Sequence, residues 1–208
     1  MTIQHETSFE LHEKLLKAKH VSKHINHIKR HHNESYEHSV RVGLLSLDLA
    51  RENEFPEEDI LLAGEAGLLH DVGKTSIPVE ILSKNGKLNE EERDIVNGHP
   101  RSGFIKIDGE EYEDVRRVGI AHHEYKTGKY PRKGEDRRKT PRSENTDRRN
   151  HDSRISKIAE LVAIADMFDA LTARRAYKEP FSKDVVEKIL REQFTGDEKY
   201  IKQAMSRI

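Results

Sequence analysis

Apolar residues recur with a helical period through most of the chain. Between positions 8 and 32, Leu11, Leu15, Leu16, Val21, Ile25 and Ile28 return by threes and fours, which predicts one amphipathic helix. The stretch YEHSVRVGLLSLDLA, 36–50, predicts a second helix, closed by the break at Phe55-Pro56. DILLAGEAGLL, 59–69, predicts a third and delivers His70 and Asp71 at its end. Gly73, Pro78 and Asn85-Gly86 then mark an irregular connection. Asn89, followed by Glu92 three residues on, has the signature of a capped helix start. Positions 115–123 form a short helix candidate, and ISKIAELVAIADMFDAL, 155–171, is the most apolar helix, with Asp166 at its middle. Nothing in this pattern calls for a sheet, so the expected fold class is all-α.

One segment breaks the periodicity. RKGEDRRKTPRSENTDRRNHDSR, 132–154, has no apolar side chain to bury, nine basic residues and five acidic ones. It cannot offset its ordering entropy by burial, so a mobile loop is expected there. The expected organisation is an N-terminal helical segment over 1–33 and one domain over 34–208 that carries this loop.

Composition narrows the partners. At 208 residues the chain suffices for one well-buried core. Charged residues make up 36%, yet the net charge is −1, and that balance argues against duplex nucleic acid as a partner. There is no cysteine, which removes disulfides and thiolate ligands. No apolar run approaches the about 20 residues of a membrane span, and the first residues lack the apolar core of a signal peptide. A soluble, cytoplasmic protein without a membrane partner is the expectation.

The unusual number is thirteen histidines. His20, His24, His27 and His31 run along a stripe of the first predicted helix; they could form a metal-binding face, but a solvated surface is the better reading. More informative are the polar residues that interrupt apolar helices or stand at their ends: Glu34, His38, His70, Asp71, His99, His122, His123 and Asp166. Glu34 and His38 lie one helical turn apart on one face. His70 and Asp71 point roughly 100° apart, which suits two neighbouring ions better than one. Asp166 has no basic neighbour three or four residues away in its helix, and a buried carboxylate without a partner is costly. Imidazole and carboxylate donors from separate helices suit Fe, Mn or another divalent first-row ion.

The order His38, His70-Asp71, His99, His122-His123, Asp166 resembles the HD superfamily of metal-dependent phosphohydrolases, closest to its HD-GYP branch, which hydrolyses cyclic di-GMP. HDVGKTSIPVEILSKNGKLNEEE, NGHPRSG, HHEYKTGKYP and AIADMFDALTARRAYK follow that branch in order, from Glu34 to about Leu190. The resemblance implies an HD-domain helical bundle with its metal site in the core. It implies His38, His70, Asp71, His99, His122, His123 and Asp166 as ligands of two or three divalent ions, Fe or Mn favoured, with Glu34 at the position of a third-metal ligand. Asp71 would bridge the ions and orient the attacking water, and Lys74 would join it in catalysis by contacting substrate phosphate. Tyr130, Arg175 and Lys178 fall on further substrate-binding positions. The naming Gly-Tyr-Pro motif is altered here to Gly128-Lys129-Tyr130-Pro131, one residue short. The expected activity is cyclic di-GMP phosphodiesterase; the alternatives are an HD phosphohydrolase for another nucleotide or phosphoester, and a non-catalytic signalling module. A separate regulatory protein is a candidate partner.

Overall fold

A helix that is apolar on most of its faces has to be covered by its neighbours, and the computed structural model puts one such helix, the one carrying Asp166, at the centre. The structure describes residues 6–127, 152–174 and 179–208. Its helices are α1 (Ser8–Lys17), α2 (Lys19–His31), α3 (Asn33–Glu52), α4 (Glu57–Leu69), α5 (Val79–Leu82), α6 (Glu90–Asn97), α7 (His99–Lys106), α8 (Glu113–Ala121), α9 (Ser153–Thr172), α10 (Lys183–Gln193) and α11 (Glu198–Met205), with 3-10 turns at Val72–Ser76 and Glu110–Tyr112. Among the described residues there is no strand, only an isolated antiparallel bridge between Lys126 and Phe194. The all-α expectation holds.

In α9 every residue from Leu161 to Asp169 is buried. Helices α3, α4, α8, α10 and α11 pack around it. Leu47, Leu68, Ile158 and Leu161 are fully covered, and burying each such side chain contributes about 1.5–3 kcal/mol. The two helices α3 and α4 approach through small residues: a Cβ added at Gly67 would lie 2.9 Å from the Gly43 Cα and 2.9 Å from the Ser46 Oγ. That contact draws the end of α4, which carries His70 and Asp71, against α3, which carries His38.

Three expectations are corrected in detail. The single helix over 8–32 is two, because Ala18 takes an extended conformation with φ −59° and ψ 130°. In one continuous helix the Leu11/Leu15 stripe would be turned roughly a quarter of a turn from the Val21/Ile25/Ile28 stripe; the break lets both face the same core, to which Leu11, Val21, Ile25 and Ile28 all belong. Helix α9 begins at Ser153, inside the segment expected to be a loop, because the Asp152 side chain accepts from the Arg154 amide and caps it. Arg154 then pairs with Asp59 and, at 2.6 Å, with Asp114. The rest of that loop, 132–151, lies outside the described residues. Similarly, α8 ends at Ala121, so His122 and His123 follow the helix rather than close it. The capped start at Asn89 is as expected: its side chain accepts from the Glu92 amide at 2.8 Å, and Glu92 accepts in return from the Asn89 amide at 2.9 Å.

Candidate metal centre

Three histidines of the cluster use one local device. The carbonyls of a helix's last turn lack amide partners within the helix, and a histidine just beyond can supply a donor. His70 Nδ1 bonds the Gly67 carbonyl at 2.7 Å, His99 Nδ1 the Val96 carbonyl at 2.7 Å, and His122 Nδ1 the Gly119 carbonyl at 2.6 Å. A carbonyl oxygen only accepts, so each Nδ1 carries a proton and the ring turns its Nε2, the nitrogen that can offer a lone pair to a metal ion, to the other side. His38 is oriented by a carboxylate instead: its Nδ1 lies 2.7 Å from Asp169 Oδ2.

The Nε2 atoms converge. His38 Nε2 is 3.1 Å from Asp166 Oδ1 and 3.6 Å from Asp71 Oδ2, His99 Nε2 is 3.1 Å from Asp71 Oδ1, and His123 Nε2 is 3.4 Å from His99 Nε2. His70 Nε2 comes within 3.4 Å of Asp71 Oδ2 without forming a hydrogen bond. Asp71 thus turns its two oxygens toward different histidines. Ligand atoms lie within 4.8 Å of one another in three groups: His38, His70 and Asp71; His70, His122 and Asp166; and His99, His122 and His123. A third glycine permits this crowding: a Cβ on Gly73, two residues after Asp71, would stand 1.9 Å from the His99 carbonyl oxygen.

Burial gives these contacts weight. His38, His70, Asp71, His99, His122 and Asp166 are all buried. Burial alone would push the Asp71 carboxyl up, but the charges of His70 and Lys74 and the hydrogen bond from His99 hold it well below the usual carboxylate value. Asp166 shows the same balance, with Lys126 and His38 outweighing desolvation. For His122, burial and then the neighbouring His123, His70 and His99 drive the pKa well down. His123 is pushed down to about 2 by burial and then by Lys126. For His38, burial lowers the pKa, but the bonds to Asp166 and Asp169 outweigh it and leave the value raised.

The residues fit a divalent cation. His70 Nε2 and His122 Nε2 are buried without a hydrogen-bond partner, which is costly unless something else meets the lone pair. Mixed imidazole and carboxylate donors are what Fe, Mn and similar ions accept. Seven of the eight expected ligands come together. The eighth, Glu34, stands in the first turn of α3, one turn before His38 and half-buried, and belongs to none of the three groups. Lys74 is beside the centre, paired with Asp71. Tyr130, Arg175 and Lys178 lie outside the described residues.

Two residues escaped the sequence reading. Asp169 holds His38 and accepts from Arg41 Nε at 2.6 Å and Nη2 at 3.1 Å. A second carboxylate one turn after Asp166, in the same buried helix, was the signal available. Lys126 Nζ meets Asp166 Oδ2 at 2.6 Å, so the partner of Asp166 comes from another element rather than from its own helix. Nothing in the sequence pointed to that lysine.

The HD domain model matches residues 21–194. The chain belongs to the HD domain family. This HD domain is 35% identical, over 152 residues, to a cyclic di-GMP phosphodiesterase of Pseudomonas aeruginosa; the match covers 69% of this chain and 32% of that protein. A cyclic di-GMP phosphodiesterase of Thermotoga maritima is 36% identical over 152 residues, 71% of this chain and 37% of the relative. A 3'3'-cGAMP-specific phosphodiesterase of Vibrio cholerae is 30% identical over 167 residues, 77% of this chain and 28% of the relative. The matched stretch is thus about a third of each relative's length. These relatives bear out the HD phosphohydrolase, HD-GYP-like resemblance. Among the described residues no helix is long and apolar enough to cross a membrane.

Proposed function

We propose that this HD domain is a metal-dependent phosphodiesterase that hydrolyses cyclic di-GMP. The observation that carries the proposal is the convergence of histidine Nε2 atoms, with Nδ1 protons fixed on carbonyls or on Asp169, around Asp71 and Asp166. Support for a cyclic dinucleotide comes from the names of the relatives. Two or three divalent ions, Fe or Mn favoured, suit the donor set, with Glu34 as the ligand of a third.

Divalent ions bound there would supply a water acidified toward neutrality and a positive template for phosphoryl oxygens. The chain does the rest. Asp71, held ionised and facing His99 with one oxygen and His38 and His70 with the other, joins the two halves of the cluster and orients the attacking water. The Nδ1 bonds keep four rings from rotating, so their lone pairs stay aimed. Lys74, a half-buried ammonium beside Asp71, meets a phosphate oxygen of the substrate. Arg175, Lys178 and Tyr130 complete substrate binding on the strength of the resemblance alone.

The test is turnover by anaerobically purified, Mn- or Fe-loaded protein, with metal counted on the same sample. Cyclic di-GMP, 3'3'-cGAMP and a generic phosphodiester are compared. Cyclic di-GMP cleavage with two or more metals per chain is the expected result. Preference for 3'3'-cGAMP would move the chain toward the Vibrio cholerae relatives, and metal without hydrolysis of either dinucleotide would overturn the substrate proposal. Asp71→Ala and Asp166→Ala are each expected to lose metal and turnover while keeping most helical circular dichroism; undiminished hydrolysis by either would defeat the assignment.

A further inference from the structure

The residue after Tyr125 is held more firmly than its position beyond a helix end requires. Lys126 stands opposite Phe194 in the isolated antiparallel bridge. On one side the Thr127 amide donates to the Gln193 carbonyl at 2.7 Å, and on the other the Thr195 amide donates to the Tyr125 carbonyl at 2.9 Å. Tyr125 is itself tied to α9, its hydroxyl donating to the Ser156 carbonyl at 2.8 Å. Phe194 is buried in the core. This clamp fixes the backbone from which the Lys126 side chain reaches into the cluster, where Nζ takes Asp166 Oδ2 at 2.6 Å. The other Asp166 oxygen faces His38.

We infer that Lys126 is a resident cation of the metal centre, one that weakens and orders metal loading at the Asp166 and His123 end. The inference rests on the metal-site proposal above. A lysine ammonium on one oxygen of Asp166 leaves that carboxylate a single oxygen for an ion. Its charge also acts next to the group formed by His99, His122 and His123, which has no carboxylate of its own. A dication entering that end meets three imidazoles and a fixed positive charge, with only the Asp71 Oδ1 beside His99 to share, whereas the His38, His70 and Asp71 group has an ionised carboxylate of its own even with Lys74 paired to its Oδ2. The two ends therefore differ in affinity, and the weaker end fills last. Lysine rather than arginine suits the place, being a compact point charge on a flexible stem.

Equilibrium titration of the metal-free protein with Mn(II), together with the metal-free melting temperature, tests this in the wild type, Lys126→Met and Lys126→Arg. Charges of this kind near a protein surface interact by several kcal/mol, so Lys126→Met is expected to bind its weakest ion at least about ten-fold more tightly. Lys126→Arg, which keeps the charge, is expected to stay near the wild type. Metal-free Lys126→Met is expected to melt lower, since Asp166 loses its counterion, and to regain that loss on Mn(II) addition. Should Lys126→Met not fold, Lys126→Gln makes the same comparison. A folded neutral variant that binds Mn(II) no more tightly than the wild type overturns the role of Lys126 and leaves the metal centre standing. A wild type that binds no Mn(II) sinks the centre and this inference together.

Discussion

Two sets of histidines in this chain have the same side chain at similar density and behave differently. Along α2, His20 bonds Glu65 at 2.7 Å and stacks on Tyr112 with ring centroids 4.5 Å apart, and His31 reaches the Ile77 carbonyl at 2.8 Å. Each is hydrogen-bonded through Nε2. None of the stripe belongs to a group of candidate ligands among the described residues. In the buried cluster the tie is on Nδ1, leaving Nε2 to point at other ligands. What distinguishes a candidate ligand from a histidine of the stripe here is the nitrogen that is already occupied, and the burial that makes the remaining one costly to leave alone.

The comparison is broken most severely by freeing a ring. Asp169→Asn keeps the shape but weakens the hold on the His38 Nδ1 proton and on Arg41. Loss of such an outer carboxylate typically costs about 10–100-fold in metal affinity. A Mn(II) titration should show that fall with helical circular dichroism unchanged, and affinity equal to the wild type would mean that the ring is held by packing alone.

His12 sharpens the contrast from a third direction, being buried in α1 with an Nε2 that has no hydrogen-bond partner, yet outside every ligand group. Burial pushes its pKa below the ordinary value. The unfolded chain then takes up a proton near pH 6.5 that the folded chain refuses, so this residue costs stability as pH falls below that point and costs nothing above it. The slope is at most about 1.4 kcal/mol per pH unit for one proton. Urea unfolding at pH 7.5 and 5.5 should show a smaller loss on acidification for His12→Gln than for the wild type. An identical loss would place the acid sensitivity elsewhere.

The smallest effect is expected on the stripe. His24→Ala and His27→Ala together should leave the Mn(II) stoichiometry unchanged and shift stability by no more than about 0.5 kcal/mol each, as surface substitutions do. A lost metal equivalent in that double variant would reinstate the α2 face as a metal site.

Much of the centre was legible because its parts contradict their neighbours. His70-Asp71 after an apolar helix and Asp166 inside one are expensive placements that local structure cannot explain, so they stood out. Asp169 and Lys126 did not. The first lies near the end of its helix, one turn after a carboxylate that already drew the eye, and the second lies in a polar run where a lysine raises no question. Their roles appear only once α3 and the segment after His123 are brought to α9.

By itself the sequence determined the helical class, the capped start of α6, the apolar character of α9 and the order of the candidate ligands, because periodicity, caps and misplaced polar groups are local properties. Tertiary structure decided the break at Ala18, which brings two apolar stripes to one core. It also decided which nitrogen each histidine presents, since that depends on where an oxygen lies across a turn or on another helix. And it decided which charges share a carboxylate: Arg41 with Asp169, Lys74 with Asp71 and Lys126 with Asp166. Two of these pairs join residues far apart in the chain, and no pattern of spacing specifies contacts that only close packing creates.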